Sequence, residues 1–194
     1  MIYFTGGVSG WREVSLADRP GLEPVFVGIQ SVFGKHSFKT YCTFIAGSPS
    51  ARDQAMFEAF RMQGWDGPVG LIRASEIGHT ETVDRLLARP GTDVNKAMAI
   101  DGSTALTMAS QNGHTKIVEK LLARPDIDVN KAETSCGNTA LIMASQKGHT
   151  EIVDRLLAHP DIDVNKARTD DGSTALTIAS EKGHTEVVDR LLAH

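Results

Sequence analysis

The chain carries one stretch of sequence four times over, and this repetition limits the folds open to it more than any other feature. The text GHTEIVDRLLAHPDIDVN begins at Gly148, close copies begin at Gly78 and Gly113, and a shorter copy begins at Gly183. Successive copies start 35 residues apart. A fixed period of this length is typical of chains that stack small, similar units in a line, each unit packing against its neighbours.

Each copy predicts two helices separated by a tight turn. In STALTMASQNG, Leu106 and Ala109 recur at the spacing of one helix face, and Gly113 is suited to end the helix in a left-handed conformation. The next stretch, TKIVEKLLA, has its apolar residues at the same helical spacing, and Pro125 stops it. The polar stretch DIDVNKAETS then leads to the next copy as a loop.

These repeats divide the chain into two regions. We place repeat one at 66–100, repeat two at 101–135, repeat three at 136–170 and a partial repeat four at 171–194. Residues 1–65 have no counterpart in the repeats and differ from them in composition. We therefore predict an N-terminal segment over 1–65 and a repeat domain over 66–194.

The repeated motifs resemble the ankyrin repeat family. Its T-P-L-H-x-A-A stretch is matched by TALTMAS, TALIMAS and TALTIAS, its G-H-x-E-I-V-x-L-L stretch by GHTEIVDRLL, and its D-V-N recurs after the second helix. The resemblance implies a mainly α fold, a solenoid of ankyrin-type helix–turn–helix repeats, with a small α+β segment at the N-terminus. The histidine of T-P-L-H is replaced here by Thr107, Ile142 and Thr177. The threonine–histidine hydrogen bond of the family is therefore not expected.

The resemblance also implies a function, which is to bind another protein without catalysing a reaction. In such stacks the partner lies on a concave face made of the loop tips and the exposed end of each first helix. The matching positions also vary most between the copies. Such variation is expected of a surface that binds a partner, and it is equally expected of a solvent-exposed face whose sequence changes without constraint. These positions are Ile100, Asp101, Ser103, Gln111 and Asn112 around the first helix of repeat two, Ser135, Cys136, Asn138, Gln146 and Lys147 around that of repeat three, and Asp170, Asp171, Ser173, Glu181 and Lys182 around that of repeat four.

Residues 1–65 lie outside the repeats, and their sequence is compatible with more than one structural role. The stretches 24–34 and 38–47 are rich in Val, Phe, Tyr and Thr, which favours strands, and 48–65 has the spacing of a capped helix. A strand, a glycine-containing loop and a helix also occur in α/β nucleotide-binding folds, but AGSPSARD does not match a phosphate-binding loop. The segment is either a cap on repeat one, a remnant of a larger α/β domain, or a small enzyme or nucleotide-binding site that the repeats target.

Composition narrows the partners and the compartment. A net charge of −4 and a pI near 6.0 offer no electrostatic attraction to nucleic acid or to an anionic membrane. The two cysteines, Cys42 and Cys136, are far apart and form no zinc motif or disulfide framework. The first residues lack the pattern of a secretory signal, and no apolar run is long enough to span a membrane. We therefore expect a protein of the cytoplasm or nucleus that needs no cofactor and no metal.

Two features of the repeats carry further expectations. The histidines of the four Gly-His turns could be imagined as a ladder of metal ligands, but stacked helices lie about 8–10 Å apart. Zinc ligands must all approach one ion within about 2.1 Å, so a bracing role at the turn is favoured. At the other end of the stack, we expect Ile178, Val187 and Leu191 to face solvent and to promote self-association through repeat four.

Overall fold

In this computed structural model, the residues that can be described are 68–194 and four short strands before them. The chain divides into two compact units, Met1–Gln63 and Gly64–His194. In the first unit, the described backbone forms two antiparallel pairs. β1 (Ile2–Thr5) pairs with β2 (Arg12–Ser15), and β3 (Gln30–Ser31) pairs with β4 (Thr40–Tyr41).

Only some of the strands observed in this unit are predicted by the sequence. β3 and β4 each lie inside a stretch that the sequence predicts as a strand, although each is two residues long. The β1–β2 pair was not predicted. The helix predicted over 48–65 lies outside the described residues.

Residues 68–194 form eight helices, arranged as four successive pairs. The first helix of each pair is α1 (Pro68–Ile77), α3 (Ala105–Gln111), α5 (Ala140–Lys147) and α7 (Ala175–Lys182). The second is α2 (Thr80–Leu87), α4 (Thr115–Leu122), α6 (Thr150–Leu157) and α8 (Thr185–Leu192). First helices pack against first helices of the neighbouring pair, and second helices do the same. The prediction of a mainly helical repeat solenoid is confirmed.

Local sequence determines where the first helices begin and end. Thr104, Thr139 and Thr174 each cap a first helix, because the side-chain oxygen accepts a hydrogen bond from the backbone N–H three residues later. At the other end, Gly148 has φ of 72° and caps α5 in the left-handed region that only glycine adopts without strain. The polypeptide then reverses direction within two residues and enters the second helix.

Burial differs between the two layers of helices. α5 is buried along nearly its whole length, from Ala140 to Ser145, because other helices pack against it on several sides. The second helices bury one face only, as Val153 and Leu156 of α6 do, and leave charged residues on the other face. Each fully buried leucine contributes about 1.5–3 kcal/mol relative to an exposed one. Small residues such as Ala109 and Ala144 allow the first helices to lie close together.

The last pair of helices does not expose the residues that the sequence predicts. Ile178, Val187 and Leu191 are at most 6% exposed, so the expectation that they face solvent is wrong. They are buried because α7 and α8 pack against each other and against α5 and α6. The exposed apolar residue in α8 is instead Leu192, at 68%. Within residues 68–194, no helix combines the length and the hydropathy needed to cross a lipid bilayer.

Candidate functional site

The loops that precede the first helices form short, hydrogen-bonded hairpin turns, which we call fingers and define as residues 98–103, 133–138 and 168–173. In the 98–103 finger, the N–H of Met98 donates to the carbonyl of Ser103 at 2.8 Å, and the N–H of Gly102 donates to the carbonyl of Met98 at 2.9 Å. The corresponding bond between the two ends of the finger is 3.0 Å in the 133–138 finger and 2.9 Å in the 168–173 finger. Each finger therefore has a defined shape.

Neighbouring fingers are also joined to each other. The N–H of Thr134 donates to the carbonyl of Asp101 at 2.8 Å, and the N–H of Thr169 donates to the carbonyl of Cys136 at 2.9 Å. The glycine after each acceptor has φ near 80°, and a Cβ at Gly102 would lie 2.6 Å from the Thr134 nitrogen. The missing side chain lets the two backbones approach. The three fingers form one continuous row, which we call the finger row.

Side chains at the fingertips differ in character along this row. Ile100 is 87% exposed in the 98–103 finger, whereas Ser135 and Asp170 are the exposed residues at the same position of the next two. The row thus changes from apolar through neutral to acidic. Each finger therefore presents a different side chain in the same backbone geometry.

Aspartates at the tips have a structural role as well. The carboxylates of Asp101 and Asp171 accept hydrogen bonds from the backbone N–H groups of Ser103 and Ser173, both at 2.9 Å. This bond closes the turn before the first helix. Repeat three has Cys136 at this position, and there the side-chain amide of Asn138 donates to the carboxylate of Glu133 instead.

Most of the predicted partner-binding residues are accessible, but Ser103 is not. Ser103 is 1% exposed, and its hydroxyl has no hydrogen-bond partner among the described residues. The other predicted partner-binding residues fall into two groups by exposure. The exposed ones are Ile100, Asn112, Ser135, Lys147, Asp170, Asp171, Glu181 and Lys182, and the partly buried ones are Asp101, Gln111, Cys136, Asn138, Gln146 and Ser173.

Arg168 is a member of this surface that the sequence did not suggest. Its guanidinium donates to the carboxylate of Asp170 at 2.5 Å and lies 3.4 Å from that of Asp171. The side chain is only 18% exposed. The equivalent residues in the other fingers are Met98 and Glu133, so the repeat pattern gave no signal for a cation here.

The cluster around Arg168 shifts two pKa values. Burial works to lower the pKa of Arg168, but hydrogen bonds to Asp170 and Cys136 and the charges of Asp170 and Asp171 outweigh it and raise the pKa. Burial works to raise the pKa of Asp170, but hydrogen bonds from Arg168 and Cys136 and the charge of Arg168 outweigh it and lower the pKa. Both groups are therefore charged at neutral pH. Cys136 is a free thiol beside this ion pair.

Gly-His turns between the helices of a pair, which we call corners, determine how closely the repeats stack. The Nε2 atom of His114 lies 3.1 Å from the carbonyl oxygen of Glu76, and that of His149 lies 3.2 Å from the carbonyl of Gln111. Each imidazole therefore joins its repeat to the preceding one. Within the described residues, no group of His, Cys, Asp and Glu side chains is arranged to hold a metal ion.

Comparison with known families agrees with this geometry. A family model described as ankyrin repeats, in three copies, matches residues 71–168 and 123–194. No curated protein matches the chain. The matched residues cover more than half of the chain and contain the capped helices, the corners and the fingers. The chain belongs to the ankyrin repeat family.

Proposed function

We propose that the chain is a non-catalytic adaptor that holds a protein partner on the finger row and on the exposed ends of the first helices. Ankyrin repeats are protein–protein interaction modules, and the proposal specifies the face. The observation that supports it is the finger row itself. Backbone hydrogen bonds fix neighbouring fingers to each other, while Ile100, Ser135 and Asp170 vary at the tips. A pre-organised surface loses little conformational entropy on binding.

The polar groups of the row favour binding over catalysis. The carboxylates of Asp101 and Asp171 are used to close their own turns, and the guanidinium of Arg168 is held by Asp170. Groups held in this way shape a surface. A catalytic role would need a nucleophile or base with a free lone pair at a place where a substrate fits.

Affinity capture with the full chain as bait, read out by mass spectrometry, tests the face. We expect a partner recovered with the unaltered chain to be lost with Ile100→Glu and with Lys147→Glu. Glu186→Ala, on the exposed first turn of α8, is the matched control and should retain it. Circular dichroism of each variant confirms that the helices are intact. Recovery that is unchanged by both finger-row and first-helix variants would reject the assigned face.

The division of the chain belongs to the same proposal. We take residues 1–65 to cover the stack as a cap and residues 66–194 to bind the partner in the cytoplasm or nucleus. A thermal-shift screen of nucleotides and divalent metals on the full chain tests the competing assignment of an enzyme or nucleotide-binding site to 1–65. We expect no shift with any of them, and a saturable shift would refute the cap assignment.

A further inference from the structure

Glu133 is a nearly buried carboxylate at the start of the 133–138 finger, and it is 9% exposed. Its Oε1 atom accepts a hydrogen bond from the side-chain amide of Asn138, which closes the finger. Its Oε2 atom accepts no hydrogen bond among the described residues, and it is not one of the unpartnered atoms that the fold seals from solvent. One oxygen therefore holds the finger together, and the other can accept a hydrogen bond from outside the chain.

The charge of Glu133 is not balanced by a cation within residues 68–194, where the side chain forms no ion pair. The finger row contains four carboxylates and one cation, which are those of Asp101, Glu133, Asp170 and Asp171 and the guanidinium of Arg168. Arg168 is held by the two aspartates of its own finger. A carboxylate that has lost most of its water without gaining a counter-charge is costly, so a cation supplied from outside would be bound favourably.

Apolar side chains lie one finger away from this carboxylate. Ile100 is 87% exposed at the tip of the 98–103 finger, and Met98, which has the place of Glu133 in that finger, is partly exposed. Equivalent residues of neighbouring fingers are separated by the spacing of the stacked helices, about 8–10 Å. An extended chain rises about 3.3 Å per residue, so it crosses from one finger to the next in about three residues.

We propose that the partner segment on the finger row is basic and apolar: a lysine or arginine bonds Oε2 of Glu133, and an apolar residue about three positions away packs on Ile100 and Met98. This inference rests on the proposed function, because it specifies the chemistry of the partner on that same face. Four carboxylates against one cation also give the finger row a negative potential, which attracts a basic segment before contact.

An acidic segment is the competing occupant of this face. Lys147 and Lys182 are exposed at the ends of their first helices, and neither forms an ion pair in the described part of the chain. Both ammonium groups are hydrated and carried on flexible side chains, so an ion pair at either one contributes little. Glu133 is already desolvated and fixed in place by Asn138. An ion pair at Glu133 therefore contributes more to binding, which favours the basic segment.

Selection of a random dodecapeptide library, displayed on phage, against the full chain tests the proposal. We expect the selected peptides to be enriched in lysine or arginine, with an apolar residue about three positions away. Selection on Glu133→Gln should lose the basic enrichment, because glutamine keeps an oxygen for Asn138 but carries no charge. Glu186→Gln is the control, since it removes the same charge from the exposed first turn of α8 and should keep the enrichment.

Titration of one selected arginine peptide, labelled with a fluorophore, measures the contact itself. Replacing the arginine by citrulline, which is neutral and of similar shape, should weaken binding to the unaltered chain at least about tenfold, as a hydrogen bond between charged groups requires. The same replacement should have little effect on Glu133→Gln. If that variant does not fold, carboxyl-carbon NMR of the unaltered chain replaces it, and the Glu133 signal should shift with the arginine peptide and not with the citrulline peptide.

Three results would overturn the inference, and they separate it from the proposed function. Selected peptides rich in acidic residues and lost with Lys147→Glu would assign an acidic segment to the same face. Basic enrichment that survives Glu133→Gln would place the cation elsewhere. If no peptide is selected although affinity capture recovers a partner that Ile100→Glu loses, the face binds a protein by other contacts. In the first and third cases the proposed function stands without this inference.

Discussion

The imidazole of His149 lies directly over the corner glycine of the preceding repeat, Gly113. A Cβ built on Gly113 would be 2.9 Å from Cε1 of that ring, which is closer than carbon atoms tolerate. The Nε2 atom of the same ring lies 3.2 Å from the carbonyl oxygen of Gln111. One side chain thus fills the space that the glycine leaves and satisfies a carbonyl at the end of α3.

Gly113→Ala should destabilise the protein more than Gly183→Ala. Both glycines have a positive φ, of 78° and 74°, so each substitution costs about 1–2 kcal/mol of left-handed strain. Gly113→Ala adds the collision with His149, worth about 1–3 kcal/mol of overpacking, and Gly183→Ala does not. Urea unfolding of the full chain followed by circular dichroism measures both. Equal losses of unfolding free energy would show that the ring moves away without cost.

The corners show how far sequence reasoning extends. The helices, the Thr caps and the glycine ends follow from residues within one turn of each other, so one repeat is enough to predict them. A bracing role for the histidines was also expected. Their acceptor could not be named, because the Gln111 carbonyl is 38 residues before His149 and its approach depends on how the repeats stack.

Asn130→Ala should cost more stability than Asn165→Ala. Asn130 makes two hydrogen bonds to the next repeat, to the carbonyl of Asp161 and from the N–H of Asp163. Two such bonds contribute about 1–3 kcal/mol together, toward the lower end here because the site is exposed. The Asn165 side chain makes neither bond, so its loss should be within about 0.5 kcal/mol. Chemical denaturation measures the unfolding free energy of the two variants. A similar loss in both would show that the Asn130 side chain does not stabilise the stacking of the repeats.

Thr107→Val should destabilise the chain more than Thr177→Val. In both repeats the threonine oxygen accepts from the cap residue's N–H at 2.8 Å, and it donates back to that residue's carbonyl at 3.0 Å for Thr107 and 2.9 Å for Thr177. Thr107 is buried, so valine leaves the N–H of Thr104 without a hydrogen-bond partner, at a cost of about 1–3 kcal/mol, whereas the Thr104 carbonyl still accepts from the N–H of Met108. Thr177 is exposed and water replaces the hydroxyl, so we expect about 1 kcal/mol or less.

Thermal unfolding monitored at 222 nm ranks these two variants. Ile142 gives the reason for expecting a moderate cost even at the buried site, since repeat three folds with an apolar residue at this position. A larger loss of stability for Thr177→Val than for Thr107→Val would contradict the role of burial.

These threonines replace the histidine of the family motif, and the replacement of its hydrogen bond by a threonine pair was not predicted from the sequence.

The residues of the candidate site, like the contacts of the corners, could be predicted from the sequence only in part. Variation between copies correctly indicated exposed residues such as Ile100 and Lys147, because exposed side chains are free of packing. It did not indicate that Ser103 is buried, and it gave no indication of Arg168. Arg168 contacts Asp170 two residues away, but the sequence alone does not show that the finger turns both side chains to the same side.

Arg168→Gln should raise the pKa of Asp170 toward its ordinary value of 3.8. Hydrogen bonds from Arg168 and Cys136 and the charge of Arg168 overcome the effect of burial and hold this pKa low in the folded protein. A carboxyl group whose pKa is lower when folded contributes stability above its unfolded pKa. That contribution is lost as the pH falls through the folded pKa. The variant should therefore lose less stability on acidification than the unaltered chain does.

A carboxyl-carbon NMR titration of the full chain measures the Asp170 pKa directly. Arg124→Gln is the matched control, because the hydrogen bond from Arg124 is the largest cause of the lowered pKa of Asp126. That control should raise the pKa of Asp126 and leave Asp170 unchanged. If Asp170 titrates at the same pH with and without Arg168, the guanidinium does not hold it.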